Sequence, residues 1–175
     1  MCGIAGFNYV DHTLAAKMTA CLTHRGPDAS GLLCEGGVSL GHRRLSILDL
    51  SEKGAQPMRF EHLVIVYNGE IYNFKEVREE LKALGHQFYS NCDTEVILHA
   101  YAVWGADCVN KFNGMWAFCI YDRKANMLFL SRDRYGVKPL YYFFDGDKFL
   151  FASELKAIRQ ASLPCEIDTD ALNFY

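Results

Sequence analysis

Several features are absent from this 175-residue sequence, and each absence excludes a class of protein. The longest apolar run, around residues 115–121, is far shorter than the roughly 20 residues of a membrane-spanning helix. The first residues lack the basic start and long apolar stretch of a signal peptide. No Lys/Arg-rich stretch occurs and the formal net charge is −3. We therefore expect a cytoplasmic protein with neither a nucleic-acid nor a membrane partner.

The seven cysteines show neither disulfide nor metal-ligand spacing. Their number is odd, no two form a C-x-x-C pair, and no Cys/His cluster has the spacing of metal ligands. Most lie in apolar surroundings, which indicates reduced core thiols and no bound metal, with one candidate exception at the second residue. The cysteines are at positions 2, 21, 34, 92, 108, 119 and 165.

The chain has the composition of one globular domain, residues 1–175, since half of it is hydrophobic and 22% is charged. Helical spacing of apolar residues is found at Leu14–Leu22, Phe74–Leu84 and Ile97–Trp104, and a short helix is predicted over 154–160. Strands are predicted over 3–8, 30–35, 37–42, 62–68, 115–122, 127–133, 139–145 and 148–153. Because strands and helices do not alternate as βαβα, the order favours an α+β fold with antiparallel sheets covered by helices.

Cys2 is the residue with the clearest potential for chemistry. Removal of Met1 would leave a thiol and a free α-amine on one residue. Their reference pKa values are about 8.5 and about 7.7–8.0, so the amine can accept the thiol proton near neutral pH without a histidine. By position alone, the simpler interpretation is that Cys2 is a small residue of a terminal strand, and the motifs that follow it change that balance.

Seven separated motifs resemble those of class II glutamine amidotransferases, in particular the glutaminase domain of glutamine-dependent asparagine synthetase. The motifs are MCGIAGF at 1–7, HRGPD at 24–28, GHRRLSILD at 41–49, YNGEIYN at 67–73, DTEV at 93–96, RDRYGVKPLYY at 132–142 and SELKAI at 153–158. The resemblance covers nearly the whole chain and implies a four-layer α/β/β/α sandwich of the N-terminal-nucleophile hydrolase type. It also implies that Cys2 hydrolyses glutamine to glutamate and ammonia.

The resemblance assigns catalytic roles to Asn68 and Gly69. Amide hydrolysis develops a negative oxygen, which preorganised hydrogen-bond donors must stabilise. Asn68 would offer its side-chain amide and Gly69 its backbone N–H. The alternative is that Asn-Gly is simply the turn after the strand at 62–68.

The resemblance also implies a pocket for the two charged groups of glutamine. Arg44 would bind the α-carboxylate, which a guanidinium can do in bidentate fashion. The neighbouring Arg43 is the structural alternative, and only the R-L-S-I register selects Arg44. Backbone groups would line the same edge at Leu45, Ile47 and Leu48.

Glu70 and Asp93 match the positions that contact the ammonium end of the substrate. Their structural alternatives are a solvated charge at a strand end for Glu70 and a helix cap for Asp93. Ser90 together with Asp93 is the predicted capping arrangement of the helix that follows.

The remaining polar motifs are interpreted as scaffold. Arg25 and Asp28 could pair across the Gly-Pro turn, and Arg132 and Asp133 are predicted to form an internal salt bridge.

A Cys–His dyad with His24 or His42 is a weaker alternative, because the α-amine makes a histidine base unnecessary.

Within the resemblance, these residues are expected to be a glutaminase domain excised from a longer two-domain chain, and the alternative is a free-standing glutaminase that delivers ammonia to a partner. The sequence contains neither a Ser-Gly-Gly-x-Asp-Ser loop nor a G-x-x-x-x-G-K-S/T motif, so ATP and Mg are expected only in a separate synthetase domain or partner that accepts the ammonia. The glutaminase half is expected to need no cofactor. The alternatives are a non-catalytic regulatory or ammonia-channelling module, and an N-terminal-nucleophile acylase.

Overall fold

A computed structural model describes residues 1–46 and 51–163, which form two antiparallel sheets and four α-helices. The five-stranded sheet has the order β2-β3-β1-β9-β8, and the four-stranded sheet the order β4-β5-β6-β7. The strands are β1 Gly3–Phe7, β2 Ala29–Glu35, β3 Val38–Arg44, β4 Met58–Phe60, β5 Leu63–Ile71, β6 Gly114–Asp122, β7 Met127–Arg132, β8 Tyr141–Phe144 and β9 Phe149–Ala152. The α-helices are α1 His12–Ala20, α2 Phe74–Ala83, α3 Asp93–Trp104 and α4 Leu155–Ile158, and 3-10 turns span Glu52–Gly54, Gly105–Lys111 and Arg159–Ala161.

Three apolar cores separate four layers of structure. Side chains such as Leu40 of β3 and Val66 of β5 meet between the sheets. Met18 of α1 packs on the outer face of the five-stranded sheet, together with α4. Leu81 of α2 and Ile97 of α3 pack on the outer face of the four-stranded sheet. Helices cover the outer face of each sheet, and the α/β/β/α arrangement expected from the resemblance is confirmed.

The local sequence accounts for most element boundaries. Gly36 and Gly37, both with positive φ, join β2 to β3, as the hairpin signal predicts. Gly85, at φ 95°, follows α2. Leu84 was predicted to belong to the apolar face of α2, but it lies beyond the last helical residue and is 57% exposed. The three-residue strand β4 was not predicted, because it is too short to show a period.

Asn68 and Gly69 lie inside a strand, so the turn alternative is wrong. β5 continues past residue 68 to Ile71, and Asn68 and Gly69 pair with Ala117 and Trp116 of β6. A Cβ at residue 69 would collide with the carbonyl oxygen of Met115, which explains the glycine. The Asn-Gly pair is thus set by the close approach of β6 rather than by a chain reversal.

Two further findings bear on the sequence predictions. Among residues 1–46 and 51–163, no helix is long and apolar enough to cross a membrane. Six cysteines in the same ranges are free thiols, and the seventh, Cys165, lies outside the described residues.

Candidate active site

A cavity of about 190 Å³ opens where the N-terminus, the end of β3, the end of β5 and the start of α3 meet. Every predicted site residue that the structure describes lines it, namely Cys2, Arg44, Leu45, Asn68, Gly69, Glu70 and Asp93. The two other predicted residues, Ile47 and Leu48, lie outside the described residues. The volume is below that of drug-sized pockets, which suits a small metabolite.

Hydrogen bonds to its side chain and to its backbone hold Cys2 directly before β1. Its Sγ accepts the backbone N–H of Leu45 at 3.3 Å and lies 3.6 Å from the carbonyl oxygen of the same residue. The guanidinium of Arg25 donates from Nε to the carbonyl oxygen of Cys2 at 2.9 Å. Burial raises the pKa of the thiol, while the Leu45 N–H, the N-terminal charge and Arg44 act in the opposite direction. The Leu45 contacts therefore orient the thiol, and its raised pKa favours the neutral form.

Asn68 presents its side-chain amide nitrogen to the cavity. Even-numbered residues of β5 face the other sheet, as Val64 and Val66 show, so Asn68 and Glu70 point to the side on which Cys2 lies. Asn68 is 1% exposed, and its Nδ2 has no hydrogen-bond partner among the described residues. A buried donor without a partner costs free energy, so its retention indicates a ligand atom that binds there.

Successive side chains of β3 point to opposite faces of the sheet, so the neighbouring Arg43 and Arg44 lie on different faces. Arg44 is buried in the cavity wall and donates from Nη1 to the carbonyl oxygen of Ser51 at 2.8 Å. Arg43 instead donates from Nε to the carbonyl oxygen of Gly26 at 3.0 Å and does not line the cavity. Of the two, only Arg44 can reach a molecule in the cavity.

Asp93 is part of the cavity wall and does not cap α3. Its Oδ2 accepts hydrogen bonds from the hydroxyl of Tyr67 at 2.7 Å and the backbone N–H of Ile71 at 3.0 Å. The N-cap of α3 is Cys92, without a side-chain capping bond, so the predicted Ser90–Asp93 cap is wrong. Burial raises the pKa of Asp93, and the two hydrogen bonds oppose that rise. A cationic group in the cavity would favour the carboxylate form.

Gln56 and Tyr67 support the site and were missed by the sequence analysis. Gln56 accepts the backbone N–H of Tyr67 at 2.6 Å and donates to the hydroxyl of Thr94 at 3.3 Å, which ties β5 to the start of α3. The position of Tyr67 directly before Asn68, within YNGEIYN, was a usable signal. Gln56 had no such signal, because its role depends on where β5 and α3 pack.

Neither histidine forms a dyad with Cys2. His24 is at the surface and bonds Glu154 at 2.9 Å. His42 is buried on β3, where its Nε2 donates to the carbonyl oxygen of Tyr67 at 3.2 Å. Burial lowers the pKa of His42 to about 3. In the part of the chain that the structure describes, neither imidazole bonds the thiol.

Two predicted ion pairs are replaced by other contacts. Arg25 bonds Glu154 at 3.1 Å and the backbone of Cys2, whereas Asp28 accepts the backbone N–H of Ser46 at 2.7 Å. The HRGPD segment is thus a scaffold for the Cys2 strand, but the predicted Arg25–Asp28 pair is wrong.

Arg132 and Asp133 likewise do not pair with each other. Arg132 donates to the carbonyl oxygens of Gly136 and Lys138, while Asp133 accepts backbone N–H groups of the same turn. The predicted salt bridge is therefore wrong, and both side chains hold the turn that follows β7.

No group of three or more His, Cys, Asp or Glu in residues 1–46 and 51–163 could hold a metal ion.

Comparison with known proteins places this chain among amidotransferases. The family model described as a glutamine amidotransferase domain matches residues 1–175. A putative glutamine-hydrolysing asparagine synthetase 2 of Methanocaldococcus jannaschii is 43% identical, over 100% of this chain and 39% of its own length. Glutamine-hydrolysing asparagine synthetase 3 of Bacillus subtilis is 46% identical, over 90% of this chain and 27% of its own length. The chain thus spans well under half of either relative.

The fold is shared with a solved enzyme of more distant sequence. The glutamine phosphoribosylpyrophosphate amidotransferase of B. subtilis, complexed with ADP and GMP, superposes with a TM-score of 0.77. It is 20% identical and the match covers 91% of this chain and 43% of that one. At this identity the match bears on the fold alone.

Proposed function

Because this chain belongs to the glutamine amidotransferase domain family, we propose that it hydrolyses the side-chain amide of L-glutamine to glutamate and ammonia, with Cys2 as the nucleophile. One observation carries the proposal. The Cys2 thiol lines the same cavity as Arg44, Glu70, Asp93 and Asn68, whose Nδ2 has no hydrogen-bond partner among residues 1–46 and 51–163.

The reaction begins once Met1 has been removed, because only then does Cys2 carry the α-amine. The amine accepts the thiol proton while Sγ attacks the amide carbon of glutamine. The resulting oxyanion is held by Asn68 Nδ2 and the backbone N–H of Gly69. The C–N bond then breaks, and the protonated amine returns its proton to the departing nitrogen, which leaves as ammonia. Water hydrolyses the remaining γ-glutamyl thioester to glutamate and frees the thiol.

The charges in the cavity fit a free amino acid. Arg44 can bind the α-carboxylate, and Glu70 with Asp93 can bind the ammonium group. An apolar acyl group would offer no opposite charge to any of these three side chains, at a cost in affinity. This lining therefore favours glutamine over the substrate of an acylase.

The non-catalytic alternative finds no support in the site. A regulatory or channelling module with the same fold would not require an intact nucleophile and oxyanion donors, yet Cys2, Asn68 and Gly69 all line the cavity.

The ammonia acceptor is proposed from the relatives. Both curated relatives are named asparagine synthetases and are more than twice as long as this chain. The proposed acceptor is an ATP- and Mg-dependent synthetase domain or partner, in the cytoplasm. The glutaminase half, as proposed, uses no cofactor of its own, and low but measurable basal turnover is expected from residues 1–175 alone.

The test is intact mass spectrometry before and after treatment with the diazo-ketone analogue of norleucine, a glutamine-like electrophile. A mass lacking Met1, with one adduct on Cys2 that excess glutamine blocks, supports both the nucleophile and the pocket. Cys34→Ala should still form the adduct. Cys2→Ala should form none and show no turnover, yet still bind glutamine. Turnover by pure Cys2→Ala would overturn the assignment, as would absence of an adduct in processed wild-type protein.

A further inference from the structure

The turn after β7 fixes the backbone of Lys138 from both sides. Asp133 accepts the N–H groups of Tyr135 at 3.1 Å, Val137 at 2.9 Å and Lys138 at 2.9 Å. Arg132 donates from Nε to the carbonyl oxygen of Lys138 at 2.8 Å. Burial opposes ionisation of Asp133, but these backbone N–H groups outweigh it and lower its pKa. The RDRYGVK segment is therefore a rigid support whose last residue is Lys138.

Lys138 projects into the cavity that contains Cys2. The residue is only 5% exposed, and it lines the cavity with Cys2, Asn68 and Glu70. Its Nζ lies 2.9 Å from Sδ of Met1. A thioether sulfur is a weak acceptor, so it compensates little for the burial of an ammonium group. A buried cation kept at this cost points to a role in the site.

Met1 is the residue whose removal creates the Cys2 α-amine. The Lys138 ammonium contacts Met1 directly, so it stands beside the end of the chain at which the new amine appears. A neighbouring positive charge disfavours protonation of an amine and favours ionisation of a thiol.

We propose that Lys138 is a positioning residue of the Cys2 centre, whose ammonium keeps the Cys2 α-amine unprotonated and favours the thiolate near neutral pH. This inference rests on the proposed function, since it concerns the same nucleophile. On this inference, the RDRYGVK segment not only stabilises the fold but also places one fixed positive charge beside the N-terminus.

Charges from five parts of the chain face this centre. The cations are Arg25 before β2, Arg44 at the end of β3 and Lys138 after β7; the anions are Glu70 at the end of β5 and Asp93 at the start of α3. Burial and Arg25 lower the pKa of Lys138, whereas Glu70, Asp133 and Cys2 favour its charged form. Without Lys138, the negative charges of Glu70 and Asp93 would be opposed by Arg25 and Arg44. Both arginines already donate hydrogen bonds to backbone carbonyl oxygens.

The experiment measures the rate of Cys2 alkylation by iodoacetamide as a function of pH, by mass spectrometry of Met1-free protein. Lys138→Met should move the midpoint of the profile to higher pH by about one unit, which slows alkylation about tenfold below the midpoint. Lys138→Arg, which keeps the charge, should stay close to wild type. Lys124→Met is the matched control, because Lys124 is exposed in the turn at the opposite end of β6.

The outcomes separate this inference from the proposed function. A folded Lys138→Met protein with an unshifted midpoint overturns the role of Lys138; should that variant not fold, Lys138→Gln serves as the neutral variant. An equal shift of the midpoint in Lys138→Arg would also overturn the role of Lys138, because the effect would then depend on the shape of the side chain and not on its charge. Iodoacetamide needs no glutamine pocket, so the pH profile can be measured even if the glutamine-like electrophile fails to label Cys2. Failure of that labelling would contradict the proposed function alone.

Discussion

The hydroxyl of Tyr67 donates a 2.7 Å hydrogen bond to Oδ2 of Asp93, which joins the strand that carries Asn68 to the helix that begins at Asp93. Both side chains are buried. The pKa of Tyr67 is raised far above its usual value, first by burial and then by the Asp93 charge, so the phenol stays a donor. The bond fixes the orientation of the Asp93 carboxylate in the cavity wall.

Tyr67→Phe should weaken glutamine binding more than it slows the chemical step. A hydrogen bond to a charged group contributes about 1.5–3 kcal/mol, so KM should rise roughly tenfold or more with kcat changed much less. Glutamate release against glutamine concentration measures both constants. Tyr121→Phe is the control, since that hydroxyl bonds the carbonyl oxygen of Gly36 at the far end of the sheet. An unchanged KM in Tyr67→Phe would contradict a substrate role for Asp93.

Asn68→Ala should reduce kcat by about 10²–10³-fold, the usual cost of one oxyanion donor. Because Nδ2 bonds no described protein atom, stability should change little. Urea unfolding and glutaminase assays on the same preparation separate the two effects. Cys2 alkylation by iodoacetamide should remain at the wild-type rate, which shows that the nucleophile is intact. A loss of kcat smaller than about fivefold would exclude Asn68 as a principal oxyanion donor.

Arg44 and Arg43 form a matched pair for testing the carboxylate site. Arg44→Lys should raise KM for glutamine about 10- to 100-fold, because a single ammonium cannot reproduce a bidentate guanidinium contact. Arg43→Lys should leave KM within about twofold of wild type, since its guanidinium bonds Gly26 outside the cavity. Steady-state assays on both variants decide the matter. Equal effects on KM in the two variants would contradict a specific contact between Arg44 and the substrate.

Buried His42 should make stability depend on pH. Its folded-state pKa is about 3 against about 6.5 when unfolded, so the unfolded chain binds more protons between these values. The contribution is present above about pH 6.5 and is lost as pH falls towards 3, by up to about 1.4 kcal/mol per unit. Urea unfolding at several pH values should show a shallower loss in His42→Gln, which keeps a donor for the Tyr67 carbonyl. Parallel curves would show that His42 ionises equally in both states.

Much of the fold could be predicted from local sequence. The apolar spacing of Leu14 and Met18 requires one helix face, and both residues are buried in α1. The paired positive φ angles at Gly36 and Gly37 require residues without a side chain, so the hairpin was visible in the sequence. Most of the wrong predictions concern partners. Arg25, Asp28, Arg132 and Asp133 were each expected to bind a neighbour in sequence, but each binds backbone instead, and Arg25 also pairs with the distant Glu154.

The sequence by itself determined the elements, the family and the identity of the candidate nucleophile, because periodicity, turn residues and motifs are local properties of the chain. Only the tertiary structure decided which residues surround Cys2. Leu45 is 43 residues from it along the chain and Lys138 is 136 away, yet both line its cavity. Such contacts depend on the register of the sheets and the direction of each side chain across them. Those are set by the packing of the two sheets as a whole, which no short segment encodes.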